Sequence, residues 1–274
     1  MAQTIEAGTV VRAEHRGATL LLTLDGPTSR NSVGPSVYPQ VQARLIDASR
    51  DPEIGAVVLT GAGAFFSSGG NVRALRDSAG GTLAEATGNT DKLNAMIKAI
   101  VECDKPVIAA VEGGAAGAGA STVLACDLII AARGAQFTVA HVRVGLSPDG
   151  GVTHFLRSAL PRQLVMELCL LGQPIGADRL AELGVVNRLT QEGEALETAL
   201  ALAERLAAGP PRATANIKGL VNAAEGSDLA DHLDREARAI NLARFGAEAS
   251  EGLAAFLEKR RPDFFKSRAV NQPE

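Results

Sequence analysis

Tryptophan is absent from the 274-residue chain, tyrosine occurs once, and aromatics make up only 3% of it. That scarcity argues against a binding surface of stacked rings and for closely packed small side chains. Basic charge is not in excess either. The formal net charge is −4, whereas phosphate backbones and anionic membranes are held by clustered Lys and Arg, so neither nucleic acid nor membrane is an expected partner. The three cysteines, Cys103, Cys126 and Cys169, are odd in number and far apart. They read as small buried hydrophobes in a reducing cytoplasm, neither a disulfide framework nor a metal site. His15, His154 and His232 have no metal-ligand spacing. The first residues, Met1–Glu6, show no basic and apolar signal pattern. No apolar run reaches the roughly 20 residues of a membrane helix; the longest, Ala115–Ala132, is broken by Gly117, Gly119, Ser121 and Asp127.

What is present is a 46% apolar chain that alternates strand and helix patterns before changing character. Ala18–Leu24, Ile54–Thr60, Pro106–Val111, Leu128–Ala132 and Gln136–Val139 read as strands. Val37–Ala48, Val72–Arg76 and Leu93–Glu102 read as helices between them, and a further helix runs to Ala125. Such alternation implies an α/β fold with a largely parallel sheet. Beyond Asp149 the pattern is mostly helical: Val152–Leu160, Arg162–Leu171, Ala177–Leu183, Glu194–Ala208, Arg212–Ala224 and one long segment, Leu229–Glu258. Only Val185–Leu189 still suggests a strand. Gly209-Pro210-Pro211 divides the chain into an expected core domain, residues 1–208, and a C-terminal helical segment, residues 209–274. The polar tail from Pro262 to Glu274 is expected to fray.

Three glycine-rich segments follow strands. In Phe65–Asn71, Gly69 and Gly70 let backbone approach a ligand, and a helix start leaves N–H groups free for negative charge. Asn71 suits the N-cap of the helix that follows. In Glu112–Ser121 the glycines match neither a dinucleotide nor a Walker fingerprint. Tight strand–helix packing explains either turn alone, but together they can place two backbone donors on one acyl oxygen. In Val144–Gly151, Asp149 is placed to cap the helix starting near Val152. It becomes an acid–base candidate only where the fold brings it to the two turns.

Leu21–Pro27 with Asn31, Ala56–Gly61, Phe66–Asn71, Lys105–Val111, Ala125-Cys126-Asp127, Gly184–Asn187 and Phe256–Pro262, in that order and spacing, resemble the crotonase, or enoyl-CoA hydratase/isomerase, superfamily over most of the chain. The resemblance implies a crotonase-like spiral of ββα units with a C-terminal helical trimerisation region, assembled as a homotrimer or a dimer of trimers. It implies an acyl-CoA thioester substrate and no cofactor, CoA being part of the substrate. The enolate oxygen would be held by the N–H groups of Gly70 and Ala118. By the same resemblance, Arg30 and Lys259, with neighbouring Arg260, would meet the CoA phosphates. Ala62, Ser68, Gly117, Ser121 and Leu146 would line the substrate path.

Departures from the pattern narrow the chemistry. Hydratases of this family resemble one another in carrying two water-activating glutamates, at positions occupied here by Ser121 and His141. Asp149 lies where several isomerases place a catalytic aspartate, and Gly145–Gly151 looks like phenylacetate-pathway isomerases and alternative-type oxepin-CoA hydrolase-like proteins. The expectation is therefore double-bond or epoxide-derived isomerisation with Asp149 as acid and base. His141 is either a packed histidine or an aid to substrate or water. A hydratase built on His141 and Asp149, and a non-catalytic or RNA-associated relative, are the alternatives.

Overall fold

The computed structural model describes residues 8–77 and 80–264. Its main sheet contains β1 (Val10–Arg16), β2 (Thr19–Asp25), β3 (Ala56–Gly61), β4 (Val107–Val111), β6 (Leu128–Ala132) and β9 (Arg188–Thr190), side by side in that order. β1 pairs antiparallel with β2, and every other neighbour is parallel. A second sheet of β5 (Gly114–Ala116), β7 (Gln136–Thr138) and β8 (Ile175–Gly176) stands beside it. This is the expected α/β architecture with a largely parallel sheet.

Period-two alternation sends the side chains of the main sheet to two different cores. Leu20, Leu22, Leu24, Val57, Leu59, Ala109 and Val111 face the larger one. It is closed by α1 (Tyr38–Arg50), α3 (Leu83–Glu102) and α4 (Ala118–Leu124). Leu21, Ala56, Val58, Ile108, Ala110 and Ile130 face the other, covered by α8 (Ala195–Ala207). That helix buries Ala195, Ala199, Ala203 and Ala207, a stripe of small residues at every fourth position that allows close approach to the strands. Glu112 anchors its start, accepting hydrogen bonds from the N–H groups of Gly193 (3.0 Å) and Ala195 (2.9 Å).

The remaining helices are α2 (Val72–Asp77), α5 (Val152–Ala159), α6 (Arg162–Leu171), α7 (Ala177–Glu182), α9 (Pro211–Ala224), α10 (Leu229–Arg244) and α11 (Ala247–Leu257). The expected helix Leu229–Glu258 is thus two, interrupted at Phe245-Gly246, where glycine starts a new helix from an extended backbone. The expected helix Leu93–Glu102 is twice as long. Its exposed first half is launched by a capping box in which Thr82 and Glu85 satisfy each other's backbone N–H groups. The strand expected at Val185–Leu189 begins only at Arg188, because Asn187 uses its side chain and N–H to grip Ile129 near the start of β6. β1 is exposed, charged and unanticipated: Arg12, Glu14 and Arg16 mark it as an edge strand. Met1–Glu6 and the part of the polar tail after Phe264 lie outside the described residues.

Lys218 of α9 joins the C-terminal helices to the core. Its side chain is only 9% exposed, and the ammonium donates to the carbonyls of Ile100 (2.9 Å) and Lys105 (3.3 Å) and to Asp127 Oδ2 (2.8 Å). Asp127 also accepts from Val107 N–H at 2.7 Å. Burial pushes the Asp127 carboxyl above its usual range, and Lys218 opposes that shift.

Candidate active site

The first turn is held by Asn31, fully buried in a left-handed backbone conformation with φ of 55°. Its amide accepts from Gly26 N–H (2.9 Å) and donates to the carbonyls of Ala62 (2.9 Å) and Phe65 (2.6 Å). Ser67 Oγ donates to the Asn31 carbonyl (2.8 Å) and accepts from Gly69 N–H (3.1 Å). Val33 N–H closes onto the Gly69 carbonyl at 2.9 Å. Gly69, at φ 82°, lies against the second turn: a Cβ there would meet the Ala116 carbonyl and stand 3.1 Å from Ala118 N. Asn71 caps α2 as expected, accepting from the N–H groups of Arg73 and Ala74.

The second turn passes through Gly117, whose φ of 51° and ψ of −128° suit glycine alone, and opens α4 at Ala118. Ala116 N–H donates to the Ser67 carbonyl at 3.0 Å, so the two turns are laced together. Within the hydrogen-bond network of the described residues, neither the Gly70 nor the Ala118 N–H donates to a protein acceptor. Two adjacent turns with free donors, one opening a helix, are suited to holding a developing oxyanion. Leu75 of α2 hangs over the first turn, its Cδ1 3.6 Å from where a Gly70 Cβ would be.

Asp149 is linked to the second turn through His141 and Ser121. His141 Nε2 lies 3.2 Å from Asp149 Oδ1 and 3.8 Å from the point where a Gly117 Cβ would stand. The expected capping role is not filled by the Asp149 side chain. Gly151, left-handed at φ 77°, occupies the N-cap of α5 without any side-chain cap, and the carboxylate turns to His141. An ionised carboxylate only accepts, so this contact assigns the proton of a neutral His141 ring to Nε2. His141 Nδ1 is buried without a hydrogen-bond partner.

Tyr38, the single tyrosine, was not anticipated in the site. It is 6% exposed at the start of α1, five residues after Val33, which pairs with Gly70. Burial first, and then the charge of Asp149, push its phenol up to about 12. The hydroxyl therefore stays protonated within the field of the carboxylate.

Other expected site residues take varied places. Ser121 is fully buried, its hydroxyl donating to the Asp149 main-chain carbonyl at 2.9 Å instead of facing an open path. Ser68 Oγ is occupied by the Ser29 carbonyl (3.0 Å), and Ala62 N–H by Leu24. Leu146 is half exposed beside the His141 carbonyl, which its N–H contacts at 3.0 Å. Arg30 is exposed, with its guanidinium 5.6 Å above the Phe65 ring. Lys259 sits after α11, which packs on α10. Its neighbour Arg260 is held by Glu251 and Glu258 at 2.6 Å each.

The geometry of paired turns and one carboxylate coincides with a family match. Residues 14–267 match the family model described as enoyl-CoA hydratase/isomerase. The chain belongs to the enoyl-CoA hydratase/isomerase family. The 1,2-epoxyphenylacetyl-CoA isomerase of Escherichia coli is 35% identical over 246 residues, which span 89% of this chain and 94% of that enzyme. A probable enoyl-CoA hydratase of Rhodobacter capsulatus is also 35% identical, over 93% of this chain and 97% of its own. The solved structure of a Polaromonas enoyl-CoA hydratase superposes with a TM-score of 0.91 at 42% identity, covering 92% of this chain and 98% of that one. Isomerases and hydratases thus both stand among its relatives. Among the described residues no helix is long and apolar enough to cross a membrane.

Proposed function

We propose that this member of the family moves a double bond, or rearranges an epoxide-derived ring, in an acyl-CoA thioester, with Asp149 as its one acid–base group. The observation that carries this reading is the carboxylate of Asp149 joined to His141, which lies against the Gly117 turn, with a serine and a histidine at the positions where hydratase relatives are expected to hold carboxylates. For a 3-enoyl-CoA, the Asp149 carboxylate takes a proton from C2. The C–H electrons pass into a dienolate whose charge rests on the thioester oxygen, against the N–H groups of Gly70 and Ala118. The carboxylic acid so formed returns that proton to C4, leaving the double bond between C2 and C3. No net proton or electron is consumed, and no cofactor is required.

The contact between His141 and Asp149 supports a second reading, in which the pair activates water for addition to a 2-enoyl-CoA. Assays with 3-enoyl-CoA and 2-enoyl-CoA separate the two readings by double-bond migration or water addition. Asp149→Asn should lower isomerisation by at least about 1000-fold, because an amide can neither take nor return the proton; an Asp149→Asn enzyme turning over at the wild-type rate overturns the assignment.

Around this centre we place the CoA phosphates near Arg30 and, from the C-terminal region across a subunit boundary, Lys259. Exposed Ile217, Val221, Leu233, Ile240, Phe245 and Phe256 on α9, α10 and α11 support assembly through those helices into a trimer or a dimer of trimers. Three free cysteines suit a reducing, cytoplasmic setting.

A further inference from the structure

Ser121 stands one turn after Ala118 on α4, so the helix that offers a backbone donor also carries this hydroxyl. Its Oγ is 2.9 Å from the Asp149 main-chain oxygen and 3.4 Å from that of Gly117. The next residue, Gly150, is packed directly on it. At φ 58°, a Cβ on Gly150 would lie 2.9 Å from Ser121 Cβ, 3.1 Å from Ser121 Oγ and 3.2 Å from Leu93 Cδ2. The space around Ser121 is therefore filled by the loop that bears the carboxylate, and Ser121 has no exposed surface for a ligand.

We infer that Ser121 is a positioning residue: its hydroxyl, with the bare Gly150 beneath it, bolts the Asp149 loop to the helix whose first N–H holds the enolate oxygen. The oxyanion donor and the acid–base group then keep one fixed separation, which a proton shuttle between two carbons of a bound chain requires. His141 restrains the carboxylate at its other end, so the main chain and the side chain of Asp149 are fixed independently. The same packing leaves no room at position 121 for a longer side chain unless the loop moves.

The inference rests on Asp149 being the base, and its test separates the two ideas. Wild type, Ser121→Ala and Ser121→Cys are compared by kcat and KM for 3-enoyl-CoA isomerisation, by exchange of the C2 hydrogens of a saturated acyl-CoA in D2O, and by melting temperature. Ser121→Cys keeps a similar volume but is a weak donor. In both variants kcat and the exchange rate should fall together by about 10- to 100-fold, as expected for a catalytic group displaced by about 1 Å, with KM within about threefold. Rates within twofold of wild type overturn the inference, as does a raised KM at unchanged kcat, which would make Ser121 a substrate contact. Should Ser121→Ala melt below the assay temperature, Ser121→Cys decides alone. Should the wild type move no double bond, the isomerase reading fails, yet exchange, which needs only the oxyanion donors and a base, still decides the role of Ser121.

Discussion

The oxyanion donors are tested most directly by removing one N–H without disturbing the fold. Ala118 offers that opportunity because it is the first residue of α4. Proline is well tolerated at this position, where its missing N–H has no helical partner to lose and its fixed φ already suits a helix. Gly117, the residue before it, has no Cβ to collide with the new ring. Ala118→Pro should therefore change stability by no more than about 1 kcal/mol, against about 3 kcal/mol for proline inside a helix. Catalysis should respond very differently. Losing one preorganised donor costs roughly 3–4 kcal/mol of transition-state stabilisation, or about 100- to 1000-fold in kcat. Ala118→Gly is the control: it keeps the N–H, so kcat should stay within about threefold while stability falls by about 1 kcal/mol. Isomerisation of 3-enoyl-CoA, exchange of C2 hydrogens in D2O and thermal melts on the three proteins give the necessary comparison. A folded Ala118→Pro enzyme that retains more than a third of wild-type kcat and exchange refutes the assignment of this N–H to the oxyanion.

Because Tyr38 is the only tyrosine and there is no tryptophan, the phenolate absorbance of the native protein reports this one group, which should ionise near 12, not 10. The native state holds its proton where the unfolded chain has lost it, so stability is intact below pH 10.0 and falls by roughly 2–3 kcal/mol as pH rises to about 12; denaturant melts should show this loss, and Tyr38→Phe should abolish it. Lys218→Met leaves Asp127 partly buried without its cation and frees the carbonyls of Ile100 and Lys105. We expect it to lower unfolding free energy by about 3 kcal/mol, measured in urea, with a loss below 1 kcal/mol contradicting the tether.

Much of the fold was legible because the sheet buries both of its faces. β3, β4 and β6 are short continuous apolar runs bounded by turns, and their alternate residues feed two cores. The same rule hides β1, whose charged sequence resembles a loop until β2 supplies its hydrogen-bonding partner. It also hides the first half of α3, which buries almost nothing and is set by its capping box, a signal present at Thr82 and Glu85 but not carried by apolar periodicity. At Phe245-Gly246 the periodicity continued through a break, since α10 and α11 both present apolar residues and only the glycine marked the boundary.

The candidate site was legible in its backbone and not in its side-chain partners. Gly69 and Gly117 are legible as glycines because their positive φ, and at Gly69 also the Ala116 carbonyl, exclude a side chain, whereas a Cβ at Gly70 would meet only Leu75 at ordinary contact distance. Asp149 is different: its sequence neighbours favour a helix cap, yet Gly151 takes the capping position and the carboxylate goes to His141, eight residues away. The deciding contact on the main chain, from Ser121, spans 28 residues, and Tyr38 is more than a hundred residues from the charge it senses. Such pairings depend on the spiral bringing α1, α4 and the loop after the His141 turn together. A serine in place of an expected glutamate reads as a loss in the sequence. In the folded chain its hydroxyl holds the main chain of Asp149, so positions 121 and 149 have to be interpreted as a unit.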